Sequence, residues 1–100
     1  MLYEYTFFSH QKTKLDAHLR SAVNSTLSNL RLGIYNTAKK VVGKGQELVK
    51  TRVNLKGAPE VWETRIDGHW RIFYHTNPGS GNLTVLCIGH LDPNGRLMVP

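Results

Sequence analysis

The sequence predicts an α+β domain: an N-terminal strand, one or two amphipathic helices on one face of the sheet, then a 3–4-stranded antiparallel meander. Three observations carry this expectation. Leu15, Leu19, Ala22, Val23, Leu27 and Leu30 recur at spacings of three and four, which places them on one helical face opposite Asp16, Arg20, Asn24 and Arg31. From Val61 onward, short β-branched and aromatic runs are separated by the turn formers Asp67-Gly68, Asn77-Pro78-Gly79-Ser80-Gly81-Asn82 and Asp92-Pro93-Asn94-Gly95. A chain of 100 residues, 40% apolar and 20% charged, suits one globular domain over residues 1–100.

Taken in order, residues 1–8 are rich in Tyr and Phe and predict the first strand. Ser9 offers a side-chain oxygen as N-cap. The helical stretch that follows reads as one helix, or two joined by a bend near Ser21 to Ser25, ending before Gly33. Ile34, Tyr35, Ala38, Val41 and Val42 predict a second, short helix stopped by Gly43-Lys44-Gly45. Leu48 to Leu55 alternates enough for a short strand. The meander runs Val61 to Ile66, Trp70 to Thr76, Leu83 to Ile88 and a short last strand at Leu97 to Val99. With Asp67-Gly68 as a two-residue turn, Ile66 would pair with His69, Thr64 with Arg71 and Trp62 with Phe73. That register puts Trp62, Thr64, Ile66, His69, Arg71, Phe73 and His75 on one face, and Glu63, Arg65, Trp70, Ile72 and Tyr74 on the other.

Charge narrows the function. Lys and Arg number 13 against 7 Asp and Glu, a formal charge of +6. Six of the basic residues, Lys39, Lys40, Lys44, Lys50, Arg52 and Lys56, fall between residues 39 and 56 with one acid, Glu47. Such a surplus attracts polyanions: nucleic acid, an anionic membrane or an acidic protein. An Arg in the middle of a hairpin is costly without an anion, so Arg71 calls for an internal carboxylate such as Glu63 or an external phosphate. His90 ends the Leu83 to Ile88 strand and can approach the same groove. An imidazole beside a guanidinium suits acid–base cleavage of RNA, because His titrates near neutrality and Arg favours the charge growing on phosphorus.

Several chemistries are excluded. The chain is too short for an enzyme carrying its own nucleotide-binding domain. Cys87 is the single cysteine, so no internal disulfide forms, and its place between Leu86 and Ile88 reads as a core thiol. His10, His18, His69, His75 and His90 show no metal-ligand spacing, so neither metal nor cofactor is expected. Gly79-Ser80-Gly81 lacks the Lys and the length of a phosphate loop. Met1 to Phe8 has no signal-peptide pattern and no stretch is long enough to span a membrane, which points to a cytoplasmic protein with no membrane partner.

Leu55-Lys56-Gly57, Trp62-Glu63-Thr64-Arg65-Ile66, Arg71-Ile72-Phe73-Tyr74 and Cys87-Ile88-Gly89-His90 together resemble the RelE/ParE toxin superfamily, with spacing closest to its YoeB-like branch. The match covers the C-terminal half; the N-terminal half carries no diagnostic motif. The resemblance implies a RelE-like microbial-ribonuclease fold and the toxin of a bacterial type II toxin–antitoxin system. It further implies a ribosome-dependent mRNA endonuclease that cuts in the A site by 2′-hydroxyl attack, without metal or cofactor. Arg71 falls on the family's phosphate-binding Arg and His90 on a catalytic His. Arg65 and Glu63 complete the candidate catalytic set, and Lys44, Lys50, Arg52, Lys56 and Arg96 are the candidate RNA contacts. Asn54 occupies the position of the branch's carboxylate base, and Leu91 follows His90 where the branch has a Tyr. The implied partners are mRNA, the ribosome and a cognate antitoxin whose acidic or amphipathic segment wraps a toxin that is monomeric when free. Two other readings stay open on the same scaffold: a ParE-like inhibitor of DNA gyrase without hydrolytic activity, and a catalytically inactive nucleic-acid-binding relative.

Overall fold

The computed structural model describes residues 1–34, 38–57, 60–77 and 79–100. Its elements are β1 (Leu2–Glu4), α1 (Thr6–Lys12), α2 (Ala17–Arg31), β2 (Lys39–Lys40), α3 (Lys44–Val53), β3 (Trp62–Asp67), β4 (Trp70–Asn77), β5 (Asn82–Leu91) and β6 (Leu97–Met98). The strands form one sheet in the order β1-β5-β4-β3-β2, with β6 also paired to β5. The β1–β5 pair is parallel and the other pairs are antiparallel.

The long β5 strand organises the sheet. One edge carries β4. The other carries β1 at Leu83 to Val85 and β6 at His90 and Leu91. Ile88 lies between those two short strands, and the side chain of Gln11 from α1 fills the gap. Its Nε2 donates to the Ile88 carbonyl at 2.8 Å, and its Oε1 accepts from the Ile88 N–H at 2.6 Å. A side-chain amide thus stands in for a strand residue. A bulge in β5 makes this possible: Phe73 pairs with Cys87 but Tyr74 with Val85, leaving Leu86 as the extra residue. Leu86 and Cys87 consequently both bury on one face, while Val85 and Ile88 bury on the other.

Helices cover both faces of the sheet, not one as the sequence suggested. Phe8, Leu15, Leu19, Val23, Leu27 and Leu30 of the α1–α2 region pack on Ile72, Tyr74, Val85 and Ile88. Val49 and Val53 of α3 pack on Val61, Phe73, Leu86 and Cys87, joined by Val41 and Leu97. The strand expected over 48–55 is therefore helical, because the apolar contacts at Val49 and Val53 are four apart and share a helix face. Gly43-Lys44-Gly45 starts this helix rather than stopping one: Gly43 has φ 62°, open to glycine. Asn54, at φ 58°, ends it with the Leu55 N–H donating to the Lys50 carbonyl at 2.8 Å.

Three more expectations change. The first strand stops at Glu4, and α1 occupies Thr6–Lys12, with Phe7 and Phe8 joining different clusters because this helix straddles the sheet edge. Ser9 lies inside α1, and the break between helices falls before Asp16, whose Oδ1 accepts from the Leu19 N–H at 2.8 Å. Lys39–Lys40 is an edge strand on β3 where a helix over 34–42 was expected; Tyr35 to Thr37 lie outside the described residues.

The β5–β6 connection is held by one carboxylate. Asp92 Oδ1 accepts from the N–H groups of Asn94 at 2.9 Å and Arg96 at 2.8 Å, and Oδ2 from Arg96 Nε at 3.1 Å. The Arg96 backbone N–H does most to hold this carboxyl below the usual carboxylate range. β6 then crosses so close to β5 that a Cβ on Gly89 would sit 2.7 Å from the Met98 carbonyl oxygen. Gly89→Ala is accordingly expected to push β6 off the sheet and lower stability by about 1–3 kcal/mol. Faster amide exchange in β6, with β3 and β4 unchanged, checks this.

Candidate anion-binding site

The hairpin between β3 and β4 sets the site. Its turn is Gly68-His69, one residue later than expected, with Gly68 at φ 54°. Arg65 pairs with Arg71 and Asp67 with Trp70, so Ile66 is the extra residue of a bulge. The pairs below it are Thr64 with Ile72, Glu63 with Phe73 and Trp62 with Tyr74. This register corrects the expected face assignment. Glu63, Arg65, Arg71 and Phe73 share the face covered lower down by α3, while Trp62, Trp70, Ile72 and Tyr74 share the α2 face.

Two guanidinium-bearing residues therefore stand directly opposite each other across neighbouring strands. Two such side chains can approach one anion together. Arg71 is partly exposed, and its Nη1 donates to the carbonyls of Gly68 and Trp70, each at 3.1 Å. Those two bonds hold the guanidinium against its own turn. Arg65 is exposed. Glu63, half-buried, follows two residues earlier on the same face, diagonal to Arg71 and paired across β2 with Lys39. Buried Phe73 gives this group a rigid floor.

His90 does not join them. Gly89 is the residue opposite Arg71, so His90 leaves the other face of β5. There its ring meets two others: 4.4 Å from His69 and 5.1 Å from Trp70, both near perpendicular. His69 and Trp70 are themselves 4.7 Å apart with a 42° tilt. The expected Arg71–His90 groove is thus replaced by two surfaces, back to back at one end of the sheet. Sequence reasoning missed this ring cluster because it treated His69 as part of a strand and Trp70 as scaffold. The signal was the His69-Trp70 dipeptide beside a glycine turn.

The candidate RNA contacts are dispersed. Lys44 and Lys56 lie at opposite ends of α3, both exposed. Lys50 Nζ is 3.8 Å from Glu47. Arg52 and Arg96 line one cleft with Leu48, Thr51, Leu97 and Met98, and Arg96 is paired with Asp92. Among the described residues, no group of three or more His, Cys, Asp or Glu is placed to hold a metal ion. None of the described helices is long and apolar enough to cross a membrane.

Cys87 is no nucleophile. It is fully buried, and burial pushes its thiol from 9.0 up to about 12, against a smaller opposing pull from Arg52. The folded thiol keeps its proton to about 12, while the unfolded one loses it near 9. Stability contributed by the protonated thiol is thus whole below pH 9 and falls between 9 and 12, by about 1.4 kcal/mol per pH unit. An aromatic disulfide reagent at pH 8 is expected to leave Cys87 untouched until denaturant is added.

No protein-family model matches the sequence. No curated protein matches it either. Among solved structures, a chain of the toxin–antitoxin complex RelBE2 from Mycobacterium tuberculosis superposes with a TM-score of 0.63 at 16% identity. The match covers 90% of this chain and 95% of that one. The fold is RelE-like. At this identity the likeness concerns the backbone.

Proposed function

We propose that the chain is the toxin of a toxin–antitoxin pair and that it cuts mRNA on the ribosome. The cross-strand Arg65–Arg71 pair, with Glu63 beside it on an open sheet end, is the observation that carries this reading. The RelE-like fold supports it, as does the basic surplus of the chain.

In this reading the two guanidiniums bracket a backbone phosphate. Glu63 takes the proton of the neighbouring 2′-hydroxyl, whose oxygen attacks phosphorus. The O2′–P bond forms and the P–O5′ bond breaks, leaving a 2′,3′-cyclic phosphate and a 5′-hydroxyl. Charge accumulates on the phosphoryl oxygens, where Arg65 and Arg71 stabilise it. The departing 5′-oxygen needs a proton. His90 supplies it if the RNA bends over the hairpin tip at Gly68-His69, since the histidine lies on the far face. Lys44, Lys50, Arg52, Lys56 and Arg96 contribute long-range attraction to RNA. A cognate antitoxin is the proposed partner, its acidic segment covering this basic surface, and the proposed setting is a bacterial cytoplasm.

The test is primer extension on a defined mRNA in a purified bacterial translation system, with wild type and Arg71→Ala side by side. Cuts within codons that appear only with ribosomes and vanish in the variant support the reading. Intact mRNA, with inhibition of gyrase supercoiling instead, replaces it with the gyrase-inhibitor reading.

A further inference from the structure

We infer that the ring cluster of His69, Trp70 and His90 is a nucleobase-binding subsite for single-stranded RNA, on the sheet face opposite the arginine pair. The inference deepens the proposed function and rests on RNA crossing the hairpin tip.

The geometry makes the case. His69 is an exposed turn residue, yet its ring is held against two others, 4.4 Å from His90 and 4.7 Å from Trp70. That packing fixes the ring before any ligand arrives, so a base would meet a pre-organised partner. His90 stands edge-on to both neighbours, which leaves His69 and Trp70 as a tilted pair of faces above it. Trp70 is only half-buried, packing partly on the α2-side core. Flat polar-edged rings at this spacing suit a base: the faces stack, and ring nitrogens offer hydrogen bonds to base edges.

Charge around the cluster agrees. Between Thr64 and Arg71 the one acid is Asp67, and its Oδ2 lies 2.7 Å from Nε2 of His18 on α2. That contact engages the carboxylate that would otherwise repel a phosphate. Arg71 follows Trp70 directly, and its guanidinium holds the Gly68 and Trp70 carbonyls of the same turn. One five-residue stretch, Asp67 to Arg71, therefore presents a cation to one face and stacking rings to the other. A nucleotide carries those two features one sugar apart.

The experiment uses the full chain and a 2′-O-methyl oligonucleotide, which cannot be cleaved, alongside the same oligonucleotide with abasic sites. Wild type is expected to bind the abasic version about tenfold more weakly. His69→Ala is expected to lose about tenfold on the intact strand and nothing on the abasic one. Arg71→Ala is expected to weaken both equally. Trp fluorescence quenched by the intact strand and retained in Trp62→Phe places the stacking at Trp70. Equal wild-type affinity for both strands overturns the subsite while leaving the phosphate site standing. Base-dependent binding that Arg71→Ala does not weaken supports the subsite and removes the phosphate reading. No binding of either strand overturns both.

Discussion

Arg71→Ala is expected to reduce the proposed mRNA cutting by about a hundredfold or more while leaving the protein folded. The activity figure follows from losing one preorganised donor to a transition state that gathers charge on phosphate oxygens. The stability expectation follows from what the side chain touches. Its guanidinium donates to two carbonyls of its own turn, and its cross-strand neighbour is another arginine. Removing it loses two modest hydrogen bonds and relieves a like-charge contact, effects of opposite sign and under about 1 kcal/mol each. Primer extension and a thermal melt on the same preparation separate the two. An unfolded variant would make Arg71 structural. Arg71→Lys keeps the charge but not the planar fork, so partial activity is expected.

Gln11→Ala is expected to destabilise the fold by about 2–4 kcal/mol, with no active-site residue touched. Its amide satisfies both backbone groups of Ile88, and Ile88 is fully buried. Truncation leaves a donor and an acceptor without these partners in the gap between β1 and β6, at about 1–3 kcal/mol each. For a domain of this size that is a large share of total stability. Gln11→Glu keeps the acceptor for the Ile88 N–H and loses the donor to its carbonyl, so its cost should be smaller, and acid should reduce it further as the carboxyl regains a proton. Urea unfolding at pH 7 and pH 4 measures both variants. A midpoint unchanged in Gln11→Ala would mean that water replaces the amide.

What was legible in the sequence follows from how local each signal is. Four-residue spacing of leucines on a polar background marked the second helix, and turn residues marked the β3–β4–β5 meander. The first helix hid because Tyr3 to Phe8 is an aromatic run, and its phenylalanines bury on opposite sides of a sheet edge. The third hid because Val49, Thr51 and Val53 are β-branched, and only tertiary packing on Phe73 and Leu86 decides for helix. The hairpin register was off by one because Ile66 bulges, and with a period of two a single step exchanges faces. That step joins Arg71 to Arg65, while the β4–β5 register, with Gly89 opposite Arg71, sends His90 to the other face. The arginines were singled out from chemistry and resemblance; that they stand opposite each other was set by one bulge no local pattern announces.

The parallel pairing of β1 with β5 has a further consequence for biosynthesis. Leu2 aligns with Leu83, and Gln11 reaches Ile88, 77 residues away. β1 and α1 emerge from the translating ribosome well before their partners in β5. A nascent chain that lacks β5 cannot close the sheet, and the Arg65–Arg71 hairpin then has only the two-residue β2 beside it. For a protein proposed to attack translation, a closed sheet beneath the arginine pair is thereby expected only once β5 has been made.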